Sequence, residues 1–236
     1  MAILDFETKL NNVNYKKLLT QELTNEEDIK LLNLIRYKTL KETGNRYNKD
    51  LIRVKIGDAG EEILLDKLNA ACKNYLVNDG FEFNKMKFIK NNDVDEFDID
   101  IKVKDTNIYI DSKVLLNKIN TLKYIQPEFN VYLNEEQFIK YYNKSKDNQM
   151  YIIFIVNYTN ISNIYVVSMD LLKKYITIKN NRVFIDTNRC QTPNNKMIME
   201  ITEISNHRFI NFNISMFAIT LQQFIDEIGI YIWESN

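Results

Sequence analysis

The sequence predicts an α/β (α+β) chain in which helices flank a central sheet, and three observations predict it. Apolar and polar residues alternate from Asp95 to Lys113 (D-E-F-D-I-D-I-K-V-K-D-T-N-I-Y-I-D-S-K), the pattern of two half-buried strands. The apolar run from Met150 to Tyr158 has the continuous character of a strand buried on both faces. Helical patterns with plausible caps precede and follow these strands.

Taken in order, Thr24 with Glu27 forms a capping box for a helix through Leu31, Leu32, Leu34, Ile35 and Leu40, which Gly44 can end. A second helix is expected from Leu51 to about Val77, broken at Asp79-Gly80. Strands are expected from Phe81 to Ile89, Asp95 to Val103 and Ile108 to Leu115. Lys118 to Tyr132 reads as irregular around Pro127. Asn134 can cap a helix through Phe138, Ile139 and Tyr142, followed by strands from Met150 to Tyr158 and Ile164 to Ser168.

Beyond Asp170 a short helix leads to a hairpin about Asn180-Asn181, between Ile176 to Ile178 and Val183 to Ile185. Two more strands, Met197 to Ile204 and Phe209 to Phe217, flank a turn at Ser205-Asn206-His207-Arg208. Thr220 with Gln223 opens the last helix. No linker rich in Pro, Gly or Ser divides the chain. The expected organisation is one domain over 1–236, with a helical extension at 1–50, a core at 51–170 and a β-rich extension with a terminal helix at 171–236.

Composition excludes several classes. At 45% hydrophobic and 27% charged the chain reads as an ordinary soluble protein. No apolar run approaches the ~20 residues of a membrane span, and M-A-I-L-D-F-E-T-K lacks the layout of a signal peptide. With two cysteines, Cys72 and Cys190, there is no disulfide framework, so the expectation is a cytoplasmic protein without a membrane partner. Cys72 reads as a buried helix residue. A single histidine, His207, in an expected turn argues against zinc hydrolase and histidine-based nuclease chemistry. The net charge of −1 hides an asymmetry: residues 93–113 carry seven acids and three lysines, so the remainder is slightly basic.

That acidity sits on one hairpin. Phe97, Ile99, Ile101 and Val103 alternate to one face, leaving Asp98, Asp100 and Lys102 on the other. A turn at Asp105-Thr106 would set Asp100 against Asp111 and Asp98 against Lys113. Like charges opposite one another on paired strands are destabilising. Two carboxylates ~4 Å apart repel by about 4 kcal/mol at an effective dielectric near 20. A bound cation relieves this, and oxygen ligands on a sheet suit Mg²⁺ or Mn²⁺. A solvated acidic face, with Lys102 and Lys113 as cross-strand ion-pair partners, is the competing reading of the strand pair.

Together with two other features, this order resembles the PD-(D/E)xK nuclease superfamily. Gly57-Asp58-Ala59-Gly60-Glu61-Glu62, read as opening a helix, resembles the family's G-x-x-G-E element with its metal-site acid. Asp98, entered from Asp95-Glu96-Phe97, resembles the strand aspartate, and Asp111-Ser112-Lys113 resembles the (D/E)-x-K tripeptide 13 residues on. The similarity spans roughly Leu51 to Ser168; Phe97 stands in the place of the usual Pro and Asp111 in that of the more usual Glu.

The resemblance implies a restriction-endonuclease-like core with a central mixed β-sheet, and a Mg²⁺-dependent endonuclease for which Mn²⁺ would substitute. It implies that Asp98, Asp111 and the Ser112 carbonyl, with Glu61, hold one or two ions. Lys113 then orients water or stabilises charge on phosphate, a role that suits an amine among carboxylates better than general-base action. Asp100 is the alternative to Asp98, and Glu62 the alternative to Glu61. The implied partner is double-stranded DNA, in a restriction, phage-defence or mobile-element setting, with a homodimer expected. An RNA or branched-DNA nuclease and a catalytically silent nucleic-acid-binding or assembly module remain alternatives. Lys118, Lys123, Tyr124, Lys140, Tyr141 and Lys144 are basic and aromatic positions suited to phosphate contact or base stacking, against the plainer reading of a solvated amphipathic face.

Overall fold

A computed structural model describes residues 13–20, 24, 26–41, 46–79, 89–90, 97–103, 106–159, 163–192 and 197–233. Gly44, Gly80, residues 81–88, Asp95, Glu96 and Asp105, to which sequence patterns assign a helix end, a helix break, a strand, a strand entry and a turn, lie outside those residues.

Helices α1 (Tyr15–Thr20), α2 (Glu26–Lys41) and α3 (Arg46–Asp79) come first. Strands β1 (Ile89–Lys90), β2 (Ile99–Val103) and β3 (Thr106–Leu115) follow. Next come β4 (Asn130–Asn134), α4 (Glu135–Lys144), β5 (Gln149–Val156) and β6 (Asn163–Ser168). A short helix α5 (Met169–Leu172) leads to β7 (Ile176–Lys179), β8 (Arg182–Ile185), β9 (Met199–Ile204) and β10 (His207–Asn213). The chain closes with α6 (Ile214–Phe217), β11 (Ala218–Ile219) and α7 (Leu221–Trp233). The six-stranded sheet has the order β1-β2-β3-β5-β6-β11. β3 and β5 are parallel and every other pairing in it is antiparallel, so the central sheet is mixed, with helices on its faces.

β5 explains why two layers form around this sheet. Met150, Ile152, Phe154 and Val156 alternate into one hydrophobic cluster, while Tyr151 and Ile153 enter another. The second face packs on α3 through Leu64 and Leu68, and on the terminal helix α7 through Phe224, Ile225 and Ile228. The first face packs on α4 through Phe138 and Tyr141 and on a three-stranded sheet of order β4-β10-β9. Fully burying a side chain such as Phe154 contributes about 1.5–3 kcal/mol.

Local chemistry fixes the ends of these elements. Asn134 caps α4 by accepting the Glu136 N–H at 2.9 Å, with Glu135 and Glu136 in the first turn and Lys144 in the last, each favoured by the helix dipole. Thr220 and Gln223 bond reciprocally as a capping box for α7. The β7–β8 hairpin turns at Asn180 and Asn181 with φ 49° and 54°, and β9 turns into β10 at Ser205 and Asn206 with φ 50° and 65°. These are the left-handed values that a two-residue hairpin turn requires. The second turn is therefore shorter than sequence suggests: His207 and Arg208 already lie in β10, and Ile214–Phe217 is a short helix rather than strand.

Two further expectations are corrected. Asn130–Asn134 is a strand, stabilised by pairing with β10, whose partner residues lie 75 or more positions away in sequence and are invisible to local patterning. Gly57 to Glu62 does not open a helix; it lies midway along the 34 residues of α3. Its use becomes clear at Gly60, where a Cβ would overlap Val114 Cγ2 and approach Ile155 at 3.4 Å, so the helix backbone rests directly on the sheet. In the C-terminal part, β10 pairs with β4 and β11 pairs with β6 at the end of the main sheet.

Gly57 has nothing within 4 Å of its notional Cβ. Gly57→Ala is thus expected to stabilise the fold by up to about 1 kcal/mol through helix propensity. Gly60→Ala should cost about 1–3 kcal/mol by overpacking against stiff Val114, outweighing the same propensity gain. Urea unfolding of both variants checks this pair of opposite signs; destabilisation by both or neither would contradict the helix–sheet contact.

Candidate active site

The site is built where β2 leaves β3. The two strands pair only as far as Ile99 with Ile110, whereas β3 continues to Leu115. This register differs by two residues from the one the alternation suggested: Asp100 stands against Tyr109, not Asp111, Lys102 stands against Asn107, and the next position beyond Ile99 sets Asp98 beside Asp111. A two-residue shift preserves faces, which is why the strand alternation still holds. Phe97 is the exception; preceding the strand, it packs with Tyr109 and Tyr141 rather than on the side of Ile99.

Asp98 occupies the bend before β2. Its Oδ2 accepts the Ser112 N–H at 2.6 Å and the Ser112 hydroxyl at 2.7 Å. The carboxylate thereby satisfies the backbone donor that a continuing strand would have taken. The N–H and C=O of one strand residue face the same neighbour, so the Ser112 carbonyl faces this edge too. Three positions on, the Leu115 carbonyl points the other way and accepts the Asn157 N–H at 2.8 Å.

Asp111 projects to the opposite face of β3 from Ser112, beneath α4, and is 6% exposed. The Tyr141 hydroxyl donates to its Oδ2 at 2.6 Å, and the Lys113 ammonium pairs with the same oxygen. Burial is the largest influence on the Asp111 carboxyl and raises its pKa; Lys113 lowers it, the charge of Asp98 raises it, and the net direction is up. Burial, and then the neighbouring Asp111 charge, push the Tyr141 hydroxyl well up, so it remains a donor.

Tyr141 thus has a role that composition did not single out. Sequence marked it for base or phosphate contact, yet it holds a carboxylate. The available signal was its position three residues after Phe138 on the buried face of α4. Ser112 likewise contributes its N–H and hydroxyl, beyond the carbonyl that was expected of it.

The structure brings Asp98, Asp111, Ser112 and Lys113 together. Asp100 is described by its backbone alone and stands two residues further from the fork. Glu61 is half-buried and Glu62 exposed, on the helix that covers the other face of the sheet. Among the described residues no three histidine, cysteine, aspartate or glutamate side chains converge as a metal cluster. Of the remaining candidates, Lys118 pairs with Glu128 at 2.9 Å, and the Lys123 ammonium lies over the Tyr124 ring at 4.9 Å. His207 opens a strand, and burial pushes the Cys190 thiol up to about 11, away from nucleophilic use.

The architecture combines an antiparallel β1-β2-β3 run, a crossover that includes α4, a parallel β5, and paired acids at the hairpin's fork. This is the central mixed sheet flanked by helices that the sequence resemblance implied. Among solved structures the chain is similar to Hjc, a Holliday junction resolvase from the archaeal hyperthermophile Archaeoglobus fulgidus, over 72% of this chain and 95% of that one, at 12% identity and a TM-score of 0.37. No protein-family model and no curated protein matches the chain. No helix among the described residues is long and apolar enough to cross a membrane.

Holding Asp111 charged in this setting costs stability. The group is neutral in both folded and unfolded states below the ordinary carboxylate range, and the folded state loses stability as pH rises through the raised folded value. Asp111→Asn keeps an acceptor for Tyr141 and removes the buried charge. It should melt at a higher temperature than the wild type at pH 8 in EDTA, with the gap closing towards pH 4. A lower melting temperature at pH 8 would contradict the assigned charge penalty.

Proposed function

We propose that this protein is a Mg²⁺-dependent endonuclease that hydrolyses phosphodiester bonds in DNA. The observation that carries the reading is the juxtaposition of Asp98, Asp111 and Lys113 at the fork between β2 and β3, with one acid largely buried at a cost to the fold. Stability sacrificed at a polar cluster is a mark of function.

The residues fit a hard divalent cation. Asp98 and Asp111 supply hard oxygen ligands beside one another, and the Ser112 carbonyl faces the same edge. Mg²⁺ is commonly held by one or two carboxylates together with substrate phosphate and water, so this donor set suffices. Asp98, Asp111 and Ser112 would hold one or two ions, for which Mn²⁺ would substitute; Glu61 of α3, the further acid the resemblance implies, lies on the helix that covers the other face of the sheet. When bound, the ion supplies Lewis acidity towards the phosphate and activation of water.

The chain's own residues do the positioning. Ser112 fixes Asp98 through two donors, and Tyr141 fixes Asp111 through one. Lys113, with its side chain 25% exposed, keeps its ammonium beside Asp111 while remaining open to a substrate phosphate. It orients the attacking water and stabilises charge developing on the phosphate. Double-stranded DNA is the proposed substrate, and a homodimer would allow both strands to be cut.

Cleavage of plasmid DNA, a branched DNA and a structured RNA is the test, each with Mg²⁺, Mn²⁺ or EDTA. We expect DNA cutting with either metal, none in EDTA, and losses of at least about 100-fold in Asp98→Ala, Asp111→Ala and Lys113→Ala, the scale of a lost electrostatic catalytic group. Asp100→Ala should retain far more activity than Asp98→Ala. Cutting unaffected by EDTA or by Asp111→Ala and Lys113→Ala would overturn the mechanism. Cutting of RNA alone would change the substrate, and no metal binding at millimolar Mn²⁺ would favour a silent binding module.

A further inference from the structure

Beside the acids lies a layer that the hydrolytic chemistry does not itself use. The Phe97 ring packs against Tyr109 at 5.3 Å and Tyr141 at 6.0 Å between centroids, making an aromatic platform under α4. Two lysines of α4 rest on it. The Lys144 ammonium lies 3.9 Å from the Tyr109 centroid and 5.4 Å from that of Phe97, and Lys140 lies 5.0 Å from Phe97.

Spacing along α4 ties this layer to the acids. Tyr141, whose hydroxyl holds Asp111, and Lys144 are three residues apart and therefore share one face of the helix. Tyr109 is two residues before Asp111 on β3 and shares its face of the sheet. One cation–ring contact to Phe97, one ring–ring contact from Phe97 to Tyr141 and one hydrogen bond thus link Lys144 to Asp111.

The charge on Lys144 is held without neutralisation. Lys113 is the amine paired with Asp111, and among the described residues Lys144 has aromatic rings, not a carboxylate, as its partners. A cation over rings keeps its full charge, and its stem is ordered in advance by apolar packing. A half-buried amine beside an acidic cluster, ordered but not ion-paired, is arranged to meet an anion that arrives from outside.

We propose that Lys144 contacts the phosphate next to the scissile one, so that α4 sets the register of the DNA backbone over Asp98 and Asp111. This rests on the nuclease reading above for the identity of the polymer. Lys144 acts on binding and register, whereas Lys113 acts on the chemical step.

The test is binding of a fluorescent DNA duplex, followed by anisotropy in Ca²⁺ across a salt series, with cleavage measured separately in Mg²⁺. Lys144→Ala should weaken binding about threefold or more and reduce the salt slope by about 1, the share of a single phosphate contact. Lys144→Arg should restore both, and Lys144→Ala should raise KM with kcat little changed. Affinity, slope and KM that match the wild type would overturn the inference, even if cleavage itself proceeds. So would a drop in melting temperature with binding intact, which would assign Lys144 to the fold. A wild type that binds DNA with these Lys144 effects yet never cuts would leave this inference standing and overturn the hydrolytic one. A wild type that does not bind duplex at low salt overturns both.

Discussion

The Asp98 carboxylate accepts the Ser112 N–H and hydroxyl at the point where β2 stops pairing with β3, and the rest of the site depends on that capture. A strand that loses its neighbour exposes a backbone donor, and burying such a donor unpaired costs about 1–3 kcal/mol. Asp98 removes that cost with an acid. In doing so it fixes a negative charge beside Asp111, turns the Ser112 carbonyl to the same edge, and leaves Lys113 as the nearest amine. One hydrogen-bonding requirement of the sheet thus assembles a set of oxygen donors.

The second support comes from α4. Its N-terminus is tied to the C-terminal strands by Glu135, which accepts the Val183 N–H at 2.8 Å and pairs with Arg208 of β10 at 2.5 Å. Arg208 also donates to the Val183 carbonyl at 3.2 Å. The helix so held brings Tyr141 to Asp111 and Lys144 to Tyr109. Segments remote in sequence therefore converge on two acids, which is how a rigid scaffold keeps a costly site in one geometry. On the other face, Gly60 lets α3 rest against Val114, two residues beyond Ser112.

Much of this was legible in the sequence, for identifiable reasons. Period-two alternation marked β2 and β3, and the unbroken apolar run of β5 marked the strand that both cores share. Asn134, Asn180-Asn181 and the Thr220–Gln223 pair announced their caps and turn through side chains that act locally. The pair Asp98 and Asp111 with Lys113 was legible because strand parity puts them on one side. Their exact opposition was not, since parity is unchanged by a two-residue slip. Nor was β4 legible, because its stability comes from β10, nor the role of Tyr141, which depends on where a crossover helix lands. The G-x-x-G-E pattern was seen, but its placement midway along α3 follows from the sheet contact at Gly60 rather than from capping.

The central claim is that Asp98 and Asp111 form one cation site and that Asp100 lies outside it. Titrating Mn²⁺ into the wild type, Asp98→Asn, Asp111→Asn and Asp100→Asn by electron paramagnetic resonance tests this without requiring catalysis. The account predicts saturable binding in the wild type and in Asp100→Asn, and its loss in the other two variants. Equal Mn²⁺ affinity in all four proteins, or loss only in Asp100→Asn, would contradict it.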